Sequence, residues 1–280
     1  GNFLIRPVNY TGTYNITGTT SVTNGTANFN AASTITNIGT INLTSGTANF
    51  SSTNTTTITQ GTFTQSGGTF TGTATFNITG LFTWTGGTQS GTGVTNANGG
   101  SDFSGTAGTG KSLTNRTLNL SGTTTWGTAT TSGRTFISVS AAVVNNNGTV
   151  LFQNEASTGF QGFFGGTFNN NGTVRRTDVP AGANTGETAI SGTVFNNFGT
   201  VDVQVGTFRP DTGGSCGGTC AGSWDVSAGA TLRFGGGTYD LSGPITGAGT
   251  VNFLSGPGNS PAPYNITATT SVTNATANFN

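Results

Sequence analysis

Apolar and polar residues alternate over short runs through most of the chain, and Gly, Asn or Ser breaks each run. Phe70-Thr71-Gly72-Thr73-Ala74-Thr75-Phe76 and Val201-Asp202-Val203-Gln204-Val205 are two such runs. A period of two predicts half-buried strands, because successive side chains point to opposite faces. Thr, Val, Ile and Phe favour a pleated backbone. Gly and Asn tolerate the positive φ that tight corners need. No segment carries a 3.6-residue period with caps, so essentially no helix is expected.

The runs recur. Thr26-Ala27-Asn28-Phe29-Asn30 returns as Thr47-Ala48-Asn49-Phe50-Ser51, and loosely as Thr73-Ala74-Thr75-Phe76-Asn77. Asn145-Asn146-Asn147-Gly148-Thr149-Val150 returns as Asn169-Asn170-Asn171-Gly172-Thr173-Val174, then as Asn196-Asn197-Phe198-Gly199-Thr200-Val201. The spacings of 21, 26, 24 and 27 residues suit one coil of a parallel β-helix. The expectation is all-β: a single-stranded parallel β-helix (β-solenoid) of about 11–13 coils of roughly 20–27 residues, about 55–60 Å long. The Asn-rich segments (Asn145, Asn146, Asn147; Asn169, Asn170, Asn171; Asn196, Asn197) are expected at corners, stacked as Asn ladders.

A longer repeat encloses the short one. Residues 2–30 and 252–280 align without a gap at a spacing of 250: Tyr14-Asn15-Ile16-Thr17 returns as Tyr264-Asn265-Ile266-Thr267. Gly18 becomes Ala268 and Gly25 becomes Ala275, both minimal changes. We therefore expect one continuous solenoid over 1–280, with 2–251 one full unit and 252–280 the start of the next.

Composition narrows the picture. The chain has 48 Gly among 280 residues, 31% hydrophobic and 6% charged residues, and no His. Net charge is +0 and Phe numbers 20, which separates it from charged, aromatic-poor disordered chains. No charge excess points to nucleic acid, and no apolar run is long enough for a membrane span. Between Arg6 and Asp102 no residue is charged, and none is after Asp240. A neutral Thr/Gly-rich zone therefore precedes a modestly charged one.

Candidate chemistry is sparse. Eight acids (Asp102, Glu155, Asp178, Glu187, Asp202, Asp211, Asp225, Asp240) are scattered, with one Lys, so no catalytic residues are assigned and the chain is expected not to be an enzyme. Gly235-Gly236-Gly237-Thr238-Tyr239-Asp240 touches a calcium-repeat pattern once, without repetition, so neither a metal nor a cofactor is expected. Cys216 and Cys220 bracket Gly-Gly-Thr and read as a small-loop disulfide, with two free thiols as the alternative. Asn-x-Ser/Thr sequons, among them Asn15, Asn42, Asn77, Asn147 and Asn171, are candidate glycosylation sites near chance frequency. Thr-x-Thr arrays (Thr55, Thr57, Thr59; Thr69, Thr71, Thr73, Thr75) drift in register and read as ordinary exposed strand residues. Trp84, Trp126 and Trp224 read as core or cap residues rather than a sugar-stacking platform.

The Asn-Asn-Gly-Thr-Val segments, the Gly/Thr/Asn bias and the coil length resemble large bacterial β-helical surface proteins, the autotransporter passengers and filamentous-haemagglutinin-like exoproteins. The resemblance rests on style and period over nearly all of the chain, and carries over no functional residue. It implies secretion and a role in adhesion, biofilm matrix or fibre formation. The expected function is an extracellular or cell-surface structural protein forming a fibre, filament or stalk. Its expected partner is itself, by end-to-end stacking or lateral bundling. The alternatives are an adhesin for a surface glycan or receptor and, more distantly, a polysaccharide-acting β-helix enzyme.

Overall fold

The computed structural model describes all residues except 4, 5, 106–109, 128–135, 154–159, 178–185, 215, 217–219, 261 and 280; of 160, 161, 240, 257, 259 and 260 it describes the backbone alone. The described chain is an all-β parallel solenoid of about 11 turns, and no described residue is helical. A coil lays one short strand on each of three faces, except that the coil after Thr207–Pro210 has only an isolated bridge, at Gly214, on the third among the described residues. Thr40–Leu43 lies on the first face, Thr47–Phe50 on the second and Thr57–Gln60 on the third. The first and second faces are sheets of 13 strands each, all pairings parallel. The third face is divided into sheets of 2, 7 and 3 strands, interrupted before Thr57–Gln60 and again after Val194–Asn197.

The alternation in the sequence becomes the inside and outside of this prism. In Thr47–Phe50 the side chains run half-exposed, buried, half-exposed, buried, and the same order recurs in Thr26–Phe29 one coil earlier. Ala27 pairs with Ala48 and Phe29 with Phe50. Like therefore stacks on like, and the Phe29 and Phe50 rings lie parallel with centroids 4.7 Å apart. The column runs on through Phe70 and Phe76, then Phe63, Phe82 and Trp84, then Phe103, Trp126, Phe163, Phe168 and Phe195. All three Trp residues are interior.

Coil length varies from 18 residues, where Thr57 pairs with Thr75, to 27, where Phe164 pairs with Ser191. The corners absorb the difference. Gly46, between a first-face and a second-face strand, has φ 75°, and a Cβ there would lie 2.1 Å from the Gly25 carbonyl oxygen one coil below. Stacked corners leave no room for a side chain at that point.

Candidate functional surface

Residues in excess of the minimal coil gather at one corner. The connections from first to second face are the three-residue segments 23–25, 44–46 and 66–68 in early coils. In four successive coils they lengthen to 103–110, 127–135, 153–159 and 177–186, and then shorten again to 204–206. The strands on both sides keep parallel register through all four coils. Arg176, the last residue of its first-face strand, is buried at this corner. It donates to the carbonyls of Phe152 (3.2 Å), Thr177 (2.9 Å) and Gly186 (3.3 Å), which ties two successive coils together at this corner.

Charged side chains lie on the two faces that meet at this edge. On the first face Arg175 Nε meets Asp202 Oδ2 at 2.7 Å, Gln204 donates to that carboxylate at 2.9 Å, and Thr177 donates to Gln204 at 2.8 Å. On the second face Arg209 lies between Glu187 and Asp211, at 3.0 Å from each, and Arg233 reaches Glu187 at 3.2 Å. Ser191 donates to Asp211 at 2.5 Å. The fold thus brings acids that are scattered in the sequence close together, but each of these three carboxylates is paired with Arg on an open sheet face. Glu155 and Asp178 lie outside the described residues, as does the Asp240 side chain. A shallow depression of about 420 Å³ borders the edge, lined by Leu81, Asp102, Ser104, Thr123, Thr125 and Gln153. Leu81 is exposed, and no aromatic ring lines the depression.

Besides Arg176, two further cations lie inside the prism. Arg116 donates through Nε to Thr95 (2.9 Å), through Nη1 to the Gly72 and Ser90 carbonyls, and through Nη2 to those of Ala74 and Val94. Its guanidinium lies 4.8 Å from the Phe70 ring centroid, and burial lowers its pKa to about 10. Thr95 passes the chain of bonds to Gln89, and Gln89 donates to Gln65. Lys111 Nζ sits 5.9 Å from the Trp126 centroid. Burial lowers its pKa to about 8, and the Asp102 charge opposes that shift. Among the described residues Lys111 Nζ has no hydrogen-bond partner, nor do the buried Ser101 Oγ and Thr124 Oγ1.

The Asn-rich segments form three columns rather than one corner ladder. Asn145, Asn169 and Asn196 lie within third-face strands and point outward. They extend a column in which Asn96 donates to Asn77, Asn119 to Asn96, Asn145 to Asn119, Asn169 to Asn145 and Asn196 to Asn169, at 2.7–2.9 Å. Asn146, Asn170 and Asn197 end the same strands and point inward; Asn146 donates to Asn170 and Asn170 to Asn197, both at 2.8 Å. Only Asn147 and Asn171 stand at the corner itself, where Asn171 donates to Asn147 at 3.0 Å. The correction has a simple cause: the polar triplet straddles a strand end, and the strand's period of two sends its first Asn outward and its second inward.

Cys216 and Cys220 form a disulfide, with Cα atoms 5.3 Å apart, where the third face is interrupted for the second time. Of the singled-out sequons, Asn15, Asn147 and Asn171 are exposed, while Asn42 and Asn77 are half-buried within strands. Thr69 and Thr71 point outward on the second face and Thr57, Thr59 and Thr75 on the third, so the Thr rows do not make one flat array. Among the described residues no three His, Cys, Asp or Glu cluster as a metal site, and no helix is long and apolar enough to cross a membrane. No family model, curated protein or solved structure matches the chain.

Proposed function

We propose that this chain is a segment of an extracellular structural rod, a surface fibre, filament or stalk built by axial continuation of β-solenoid coils, and that it has no catalytic role. The observation that carries this reading is the seating of the second unit's first strand. Thr250–Phe253 pairs on one side with Thr231–Phe234 and on the other with Thr270–Val272. Unit follows unit through the same backbone ladder that joins coils within a unit. The stacking of Phe234 on Phe253, at 5.1 Å and 14° between planes, carries the aromatic column across the junction. Electron microscopy of native material tests the reading: continuous filaments with an axial period set by the 250-residue unit are expected, and isolated rods that bind a sugar array would overturn it.

A second reading, an adhesin, is favoured by a different observation. Four long connections leave one corner, two ion-paired clusters lie on the faces that meet there, and connections between the elements of a regular scaffold are where recognition is commonly placed. A glycan array probed with the intact chain separates the two. Saturable binding that is lost when the Glu187 and Arg209 charges are removed supports the adhesin.

A further inference from the structure

Equivalent strands of the two units do not fall on the same face. Asn2–Phe3 is the first strand of the first sheet, whereas its counterpart Asn252–Phe253 belongs to the twelfth strand of the second sheet. Pro7–Tyr10 lies on the second face and its counterpart, within Gly256–Ser260, on the third. Thr13–Asn15 lies on the third face, and its counterpart Tyr264–Ile266 has returned to the first. Thr19–Val22 moves from first to second, and Thr26–Phe29 from second to third. Every counterpart is displaced in the same sense by eleven turns and one face.

The local structure is meanwhile copied. Asn2 pairs with Ser21 and Asn252 with Ser271, each 19 residues apart. The Tyr14 hydroxyl bonds Thr20 at 2.8 Å, and Tyr264 bonds Thr270 at 2.5 Å. Asn24 turns its corner at φ 57° and Asn274 at φ 53°. Yet Asn24 sits between first and second faces, and Asn274 between second and third. The same corner sequence thus serves two different corners. This is open to a coil whose three strands are of nearly equal length, because its section approximates a regular triangle and its faces are interchangeable.

We infer that successive 250-residue units of this sequence are turned by one face, a third of a turn about the rod axis, so that a surface feature of the unit returns to the same side only in every third unit. The edge with the Arg175–Asp202 and Glu187–Arg209–Arg233 clusters lies between the first and second faces in one unit. It then lies between the second and third in the next, and between the third and first in the one after. With coils about 4.8 Å apart, each unit advances about 54 Å. A rod of tandem units therefore offers this edge on three sides in a helical order, and a neighbouring rod or a bound partner meets it from any of them.

The chain itself can be tested. Thr17 and its counterpart Thr267 are both exposed. A Thr17→Cys, Thr267→Cys variant, biotinylated with the native cysteine pair oxidised and loaded with streptavidin at both sites, is imaged down the rod axis. Markers about 120° apart are expected, and eclipsed markers would overturn the inference. Cross-linking gives a second readout. Thr246 and Asn265 are partners on the first face, and Asn15 and Asn37 are partners on the third. Cysteine pairs at both should oxidise rapidly, and closure of the 15–37 pair without the 246–265 pair would also overturn the inference.

Discussion

The neutral coils before Asp102 and the charged coils that follow it share one interior and differ at their rims. Before Asp102, first-to-second connections are two or three residues long, Thr dominates the outer faces and the core is a column of Phe rings. After it the connections lengthen at the same corner, ion pairs appear outside, and the column of Asn146, Asn170 and Asn197, with Lys111 and Arg176, joins the aromatic column inside. The rings still continue, from Trp126 to Phe163, Phe168 and Phe195. The contrast shows where a solenoid accommodates change. An extra residue within a strand would break bonds to two neighbouring coils and flip every following side chain to the wrong face. At a corner it can leave the wall without disturbing either.

If the interior is common to both zones, its loss should cost the same in each. Phe50→Ala in the neutral zone and Phe168→Ala in the charged zone should each destabilise by about 3–5 kcal/mol in denaturant unfolding. A difference of more than about 2 kcal/mol would mean that the zones do not share a core.

Next in size is Lys111. Its pKa is about 8 in the folded chain against 10.5 for the free side chain, so the unfolded chain holds the proton more tightly. Stability is therefore lowest below pH 8 and climbs between pH 8 and 10.5, by about 3 kcal/mol. Lys111→Met should remove that climb and raise stability at pH 7 by about 2–3 kcal/mol, read from unfolding midpoints across the pH series.

The two Asn columns should part company. Asn170→Ala leaves buried amides of Asn146 and Asn197 short of partners and should cost about 2–3 kcal/mol. Asn169→Ala, half-exposed, should cost under about 1 kcal/mol. Equal losses would contradict the inward and outward placement. The smallest effect belongs to the rim: Glu187→Gln should cost under about 1 kcal/mol, and the loss should fade in about 1 M salt.

The fold was legible because alternation, corner residues and coil-length spacing all name the same architecture. The interior cations were missed because a lone charge in a polar chain reads as exposed. Their strands did carry a signal. Lys111 is two residues from Leu113, Arg116 two from Leu118 and Arg176 two from Val174, the spacing that keeps a side chain on the buried face. Arg175, Asp202, Arg209 and Arg233 fall on the opposite parity and point outward. The gathering of the long connections on one edge was hidden for another reason. It depends on which of three corners each insertion occupies, and that is known only once the coils are in register.

The Asn columns have a last consequence, which concerns direction. In the outer column every amide donates toward the N-terminal end of the rod, and in the inner column every amide donates toward the C-terminal end. Two files of aligned dipoles run side by side with opposite sense, and strand dipoles themselves sum to little. The two files oppose each other without cancelling, because five bonds run in the outer one and two in the inner one, so two such rods lying side by side keep a weak electrostatic preference for antiparallel alignment.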